Sequence, residues 1–127
     1  MNLKKIDTSF HDERGEIVDI LVNEPIEFVT MITSKAGSVR GNHYHKKTFQ
    51  WIYMLSGKIR VCAQSEGSKL KELIIFKGDL ILNAPLEQHA FEALEDSKFL
   101  VFTRGPRGGN NYEEDTYRIK TPLIRPQ

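Results

Sequence analysis

About nine short runs of apolar or alternating residues, each followed by turn residues, recur between residues 16 and 103. Glycine, proline, asparagine and aspartate separate these runs, and no stretch has the period of an amphipathic helix. Short strands at regular spacing are typical of a β-sandwich or β-barrel. The sequence therefore predicts an all-β fold, with strands at residues 16–22, 26–33, 38–45, 49–55, 58–64, 69–76, 80–83, 88–94 and 98–103.

The size and charge of the chain limit the classes of function. A chain of 127 residues is expected to form one domain. Its 18 basic and 17 acidic residues leave little net charge, which argues against a surface for nucleic acid or membranes. The lone Cys62 excludes an internal disulfide, and neither a signal peptide nor a membrane-spanning run is visible. We expect a cytoplasmic protein with no nucleic-acid or membrane partner.

Three of the four histidines are candidates for one site. His43 and His45 form a His-x-His pair, and residues two apart on a strand point to the same face. Gln50 follows five residues later, after a turn, and His89 comes from a separate predicted strand. Three imidazoles and one amide that converge inside a barrel predict either a metal site or a proton-transfer site.

Both chemistries are open at this point. As ligands, His43, His45, Gln50 and His89 would suit a divalent transition metal such as zinc, nickel, iron or manganese. Without a metal, the imidazoles would move protons next to a ketone, because histidine titrates near neutral pH. Arg40, three residues before His43, would then bind a phosphate or diphosphate. Arg104 and Arg107, in a glycine-rich loop, are weaker phosphate candidates.

The spacing of these residues resembles the two motifs of the cupins. His43-x-His45, four further residues, Gln50 and then Gly57 are similar to the first motif. Gly78, Pro85 and His89 are similar to the second, and the pattern departs from the usual one at Gln50, Leu86 and Ala93. The resemblance implies a cupin-type double-stranded β-helix, a jelly-roll barrel. It implies one domain over residues 1–127, with a core at about 14–103 and a tail or arm at 104–127.

A closer resemblance is to the nucleotide-sugar 3,4-ketoisomerases, small cupins related to the dTDP-sugar 3,5-epimerases. It is carried by Arg40-Gly41-x-His43-x-His45-Lys46-Lys47 with Gln50 and Gly57, by Pro85-x-x-x-His89, and by Arg14-Gly15. It implies isomerisation or epimerisation of a dTDP-type keto-sugar in surface polysaccharide synthesis, without a cofactor. His43 and His45 would transfer protons, and Arg40, Asn42, Gln50 and His89 would contact the substrate. These enzymes carry a catalytic tyrosine in the strand before the motif, where this chain has Phe28-Val29-Thr30-Met31-Ile32. Tyr44, Tyr53 and Tyr112 are the candidates to replace it.

Two other functions stay open on the sequence. One is a metal-dependent cupin, either an oxygenase or an isomerase, that uses His43, His45, Gln50 and His89. The other is a non-catalytic cupin that binds a small molecule, since fold alone does not determine function. The apolar run 49–55 suggests an outer face covered by a partner, so a homodimer is expected. The polar residues Tyr112 to Asp115 are expected to form a solvated tail.

Overall fold

The computed structural model describes residues 1–126, which form twelve β-strands. Apart from one turn of 3₁₀ helix at Gly109–Asn111, this part of the chain is free of helices, so none could cross a membrane. The prediction of an all-β fold is confirmed. The strands are β1 Asn2–Lys5, β2 Phe10–Asp12, β3 Gly15–Ile17, β4 Phe28–Ser34, β5 Val39–Tyr44, β6 Phe49–Ser56, β7 Lys58–Gln64, β8 Lys71–Phe76, β9 Asp79–Asn83, β10 Gln88–Ala93, β11 Ser97–Arg104 and β12 Tyr117–Arg118.

Two five-stranded antiparallel sheets pack face to face. The first has the strand order β1-β9-β6-β11-β4, and the second has the order β12-β5-β10-β7-β8. A separate hairpin, β2–β3, lies outside both sheets. The predicted strand at 16–22 is wrong beyond Ile17, because the chain leaves the hairpin there and continues without regular structure to Phe28. Three strands were not predicted: β1, β2 and β12.

The space between the sheets is apolar at one end and polar at the other. At the apolar end Met54, Val61 and Ile81 are fully buried, and burial of each such side chain contributes about 1.5–3 kcal/mol. At the other end Gln50 pairs in register with Asn83 on β9 and with Thr103 on β11. Directly paired residues point to the same face, so these three buried polar side chains form one row inside the sandwich.

The outer face of the first sheet is partly covered by the chain itself. Trp51 is only 7% exposed, and it stacks on Phe49 beneath the guanidinium of Arg104. Val29 and Met31, on the edge strand β4, remain 60% exposed each. The apolar run of β6 therefore does not need a partner to bury its tryptophan. The expected homodimer stays a prediction. Val29 and Met31 form an exposed apolar surface at the β4 edge of the first sheet.

The segment after β11 folds back over the second sheet. The carboxylate of Asp115 accepts hydrogen bonds from the backbone N–H groups of Lys46 (3.0 Å), Lys47 (2.8 Å) and Thr48 (2.9 Å). It also accepts one from the Thr48 hydroxyl at 2.8 Å. The expectation of a solvated tail is therefore wrong for Asp115, although Tyr112 is 60% exposed. One side chain satisfies three consecutive amides of the turn that follows the His-x-His pair.

A second attachment holds the end of this segment. The side-chain amide of Asn42 accepts hydrogen bonds from the backbone N–H groups of Leu123 and Ile124, and it donates one to the Ile124 carbonyl at 2.8 Å. Ile124 is itself buried against Cys62 and Ala90. Together with the pairing of β12 to β5, these contacts make residues 115–124 part of the sandwich and not a free tail.

Gly57 lies in the turn between β6 and β7, and we predict that its replacement by alanine destabilises the fold. Its φ is +87°, and an added Cβ would lie 2.3 Å from Ser97 Oγ and 2.5 Å from the Asp96 carbonyl oxygen. Gly67 has a similar φ of +74° with nothing within 4 Å, so it serves as the control. We expect Gly67→Ala to cost about 1 kcal/mol and Gly57→Ala at least about 1 kcal/mol more in urea unfolding. Equal losses in the two variants would contradict the steric explanation.

For Asp115, we predict that Asp115→Ala lowers the free energy of unfolding by about 2 kcal/mol, because four hydrogen bonds to one carboxylate are lost. Trypsin should also cleave faster after Arg118 and Lys120, since the segment that carries them is released. Asp115→Asn is the matched control: it keeps one acceptor oxygen and tolerates the φ of +54°. It should lie between the wild type and the alanine variant. Unchanged proteolysis of Asp115→Ala would exclude this role.

Candidate active site

The pairing of β5 with β10 brings the three histidines together. His43 on β5 lies directly opposite His89 on β10, and His45 follows β5 by one residue. The ring centroid of His43 lies 4.8 Å from that of His45 and 4.8 Å from that of His89. The centroids of His45 and His89 are 5.2 Å apart. The structure therefore places the three predicted imidazoles in one buried cluster, which we call the histidine cluster.

Hydrogen bonds to backbone carbonyls set the tautomers of two of these rings. Nδ1 of His45 lies 2.9 Å from the carbonyl oxygen of Asp115, and Nδ1 of His89 lies 3.2 Å from that of Glu87. A carbonyl oxygen can only accept, so both Nδ1 atoms carry the proton and donate it. Nε2 of each ring then presents a lone pair, and neither Nε2 has a hydrogen-bond partner within residues 1–126. Nδ1 of His43 is likewise buried and unpaired in that range.

Two members of the histidine cluster, His43 and His89, line a cavity of about 850 Å³ that opens at the polar end of the sandwich, and the described lining does not include His45. This volume lies in the range usual for small-molecule sites. Both sheets and the segment after β11 contribute to the wall. Its polar and charged lining residues are Thr30, Arg40, Asn42, His43, Gln50, His89, Thr103, Arg107, Tyr112, Glu113 and Arg118, and the deeper wall is apolar, with Ile32, Ile52, Phe91, Phe99 and Val101.

Burial keeps the three imidazoles neutral. Burial, reinforced by the charges of His45, Arg107 and Arg118, lowers the pKa of His43 to about 3. Burial also lowers the pKa of His45, against which the hydrogen bond to the Asp115 carbonyl acts. For His89, burial and the neighbouring imidazoles place the pKa well below its usual 6.5. At neutral pH all three rings are therefore uncharged and have lone pairs available to accept a proton or bind a cation.

The other predicted site residues lie in the cavity wall as well. Gln50 is 5% exposed and lines the cavity from the first sheet. Arg40 also lines it, but its Nε donates to Ser34 Oγ at 2.8 Å and its Nη2 donates to the Thr33 carbonyl at 3.0 Å. Asn42 borders the cavity while its amide holds the segment 123–124. The roles of these three residues in substrate binding stay predictions.

The donors of the histidine cluster fit a divalent transition metal. One nitrogen from each of His43, His45 and His89 lies within 4.8 Å of the others, and all three side chains are buried. Two of the rings are already held by second hydrogen bonds, as metal-binding histidines usually are. These nitrogens, with the Gln50 amide as a neutral fourth ligand, match zinc, nickel, iron or manganese better than magnesium or calcium, which prefer carboxylates.

The structure adds residues that the spacing of motifs could not identify. No tyrosine from β4 borders the cavity, where Thr30 and Ile32 lie, and among Tyr44, Tyr53 and Tyr112 the described lining includes Tyr112 alone. Tyr44 instead stacks on Tyr117 at 5.4 Å between ring centroids. Arg107, Glu113 and Arg118 reach the wall from the C-terminal segment. The glycine-rich loop around Arg107 was the one local sequence signal for these three residues. The positions of Glu113 and Arg118 depend on how the chain folds back over the second sheet.

Several solved structures share this fold. QdtA, a sugar 3,4-ketoisomerase from Thermoanaerobacterium thermosaccharolyticum solved with TDP, is 21% identical with a TM-score of 0.75, over 94% of this chain and 88% of that chain. A 3,4-ketoisomerase from Helicobacter canadensis is 18% identical with a TM-score of 0.76, over 93% and 90%. A dTDP-4-dehydrorhamnose 3,5-epimerase from Sulfolobus tokodaii is 23% identical with a TM-score of 0.69, over 85% and 72%. These similarities confirm the cupin-type jelly roll.

Sequence comparison gives the family. No curated protein sequence matches the chain significantly. The family described as the polysaccharide biosynthesis C-terminal domain matches residues 10–102, a range that holds both halves of the motif, His43 to Gln50 and His89. Since this match covers most of the chain, the protein belongs to the polysaccharide biosynthesis C-terminal domain family.

Proposed function

We propose that the protein is an isomerase or epimerase of a nucleotide-linked, dTDP-type keto-sugar in surface polysaccharide biosynthesis. The observation that carries this proposal is the neutral ring of His43 in the wall of a cavity of about 850 Å³, backed by two further neutral imidazoles. Family membership and the likeness to ketoisomerases and epimerases support the same class of reaction.

The proposed chemistry is a proton transfer next to a ketone. The neutral imidazole of His43 takes a proton from the carbon beside the keto group; the C–H electron pair forms a carbon–carbon double bond, and the carbonyl π pair moves onto the keto oxygen to give an enediolate. Return of the proton to the former carbonyl carbon, with the hydroxyl proton passing from one oxygen to the other, moves the keto group, whereas return to the same carbon from the opposite face inverts that centre. In neither case is an oxidant or reductant consumed. His45 lies behind His43, with ring centroids 4.8 Å apart, and shares the proton with it.

The remaining wall residues have assigned roles in this scheme. Gln50 and His89 contact the sugar, and Arg40 and Asn42 contact the nucleotide part of the substrate. Arg40 holds the diphosphate with Nη1, the guanidinium nitrogen that is not bonded to Ser34 or Thr33. Tyr112 takes the place of the phenol that related enzymes carry in the strand equivalent to β4, because it is the candidate tyrosine that borders the cavity. Its hydroxyl group is suited to donate to the keto oxygen of the substrate.

Hydrogen exchange in heavy water tests this proposal. With dTDP-4-keto-6-deoxyglucose in D₂O, proton NMR should show loss of the signals beside the ketone and the appearance of an isomer. His43→Ala should slow this exchange roughly 10²- to 10⁴-fold, because a general base is removed. His45→Ala should also slow it, while His11→Ala, an exposed histidine on β2, should leave it unchanged.

Two results would contradict the proposal. One is exchange in His43→Ala at the wild-type rate. The other is tight binding of dTDP to the wild type with no exchange in any of dTDP- or UDP-linked keto-sugars, which would identify a non-catalytic sugar-binding cupin.

A second candidate function rests on the unpaired nitrogens of the histidine cluster. We propose as the alternative that His43, His45 and His89, with Gln50, bind a divalent transition metal in a metal-dependent cupin, either an oxygenase or an isomerase. A bound cation would supply Lewis acidity at a carbonyl or phosphoryl oxygen. The chain's own part is to keep the ring nitrogens deprotonated and oriented, through the carbonyls of Asp115 and Glu87.

Metal content separates the two functions. In the metal-dependent case, elemental analysis of protein purified without added metal should find about one transition metal per chain, and His43→Ala should lose it. A chelator should then lower the melting temperature of the wild type only. If the wild type stays metal-free after incubation with zinc, nickel, iron or manganese salts, the metal-dependent function is excluded.

A further inference from the structure

Arg107 lies in the cavity wall, and within residues 1–126 no acidic group forms a salt bridge with it. Its Nε is fully buried, and no hydrogen-bond partner for that atom occurs in the part of the chain that the structure describes. Burial lowers the pKa of Arg107 below its usual value, yet a guanidinium remains charged at neutral pH. Burial of a charged donor without a partner is costly, so native proteins normally pair such groups. Because Arg107 also lines the cavity, its positive charge is available to a ligand bound there.

The nearby carboxylate is already occupied. Glu113 is the acidic residue of the described cavity lining, and both of its carboxylate oxygens lie 3.3 Å from Nη2 of Arg118. Among residues 1–126, the cavity lining has three positive charges, those of Arg40, Arg107 and Arg118, and one negative charge. An anionic ligand complements this wall, whereas a cationic ligand would be repelled.

The loop that carries Arg107 is fixed against the first sheet. A Cβ on Gly108 would lie 2.1 Å from the ring of Phe28, so the loop backbone approaches this ring more closely than any residue with a side chain allows. On the other side, the N–H of Gly105 donates to the Glu27 carboxylate at 3.0 Å. These two contacts hold the backbone on either side of Arg107 and leave its side chain toward the cavity, in the same wall as His43 and His89.

We propose that Arg107 forms an anion-binding position inside the cavity, which takes a phosphate or carboxylate group of the ligand close to the histidine cluster. Arg118, on the same wall, supplies a second positive charge. Arg40 lines the same cavity, but its Nε and Nη2 are already bonded to Ser34 and Thr33 of β4, so only its remaining guanidinium nitrogen is left for an anion. The inference deepens the proposed function, since it identifies the ligand group that anchors the substrate, and a diphosphate or a sugar carboxylate could supply it.

Equilibrium binding tests this position without any turnover. Isothermal titration calorimetry would measure the affinity of inorganic pyrophosphate, dTDP and glucuronate for the wild type and three variants. Arg107→Gln should weaken anion binding at least tenfold. The affinity of Arg107→Lys should lie between those of Arg107→Gln and the wild type, because lysine keeps the charge but lacks the planar guanidinium. Arg104→Gln is the matched control: it removes the same charge from the same segment, but this side chain packs on Phe49 and Trp51 and pairs with Glu24. It should change affinity less than twofold.

The three ligands separate the sources of the anion. Arg107-dependent binding of dTDP and pyrophosphate identifies a diphosphate, and Arg107-dependent binding of glucuronate alone identifies a sugar carboxylate. Equal affinities in Arg107→Gln and Arg104→Gln, or no binding of any of the three anions to the wild type, would overturn the inference. If anion binding depends on Arg107 but no hydrogen exchange occurs, the anion-binding position is supported and the proposed isomerisation is contradicted. The two proposals can therefore fail independently.

Discussion

The site depends on the register between β5 and β10. Because His43 lies opposite His89 in this antiparallel pair, the two rings enter the sandwich from adjacent strands at the same level. A shift of one residue would turn one of them to the outer face, since side chains alternate along a strand. This one pairing therefore fixes the placement of His43 relative to His89.

Burial then determines the chemistry of the cluster. Little of each ring is exposed to water, so the charged form is disfavoured and all three imidazoles are neutral, with the pKa of His43 lowered to about 3. Neutral rings are the form needed both by a proton acceptor and by a metal ligand, and for this reason the two proposed functions share one set of residues. The positive charges of Arg107 and Arg118 act in the same direction. A bound anion would offset these charges and make His43 a stronger base.

The C-terminal segment forms part of the cavity wall at the polar end of the sandwich. It contributes Arg107, Tyr112 and Arg118 to the cavity wall, and it sets the tautomer of His45 through the Asp115 carbonyl. Its polar attachments are the Asp115 carboxylate on the turn after β5 and the Asn42 amide on residues 123 and 124, and its apolar attachment is Ile124, buried against Cys62 and Ala90. Asn42, a residue of the motif region, therefore links the histidine strand to the segment that closes the cavity.

Local patterns in the sequence were sufficient for β4 to β11 and for the three histidines, but not for β1, β2 and β12. Most predicted strands lie within two residues of β4 to β11, because alternation and turn residues act over a few positions, and the His-x-His pair shares a face for the same reason. The strand at 16–22 was predicted too long, since apolar residues there pack outside the sheets. The partners of Asp115 and Asn42 are 67 to 82 residues distant in the chain, and such contacts leave no periodic signal. Only the tertiary structure decided that Arg107 faces the cavity and that Asp115 is not part of a free tail, because both depend on where the chain after β11 returns to the sheets.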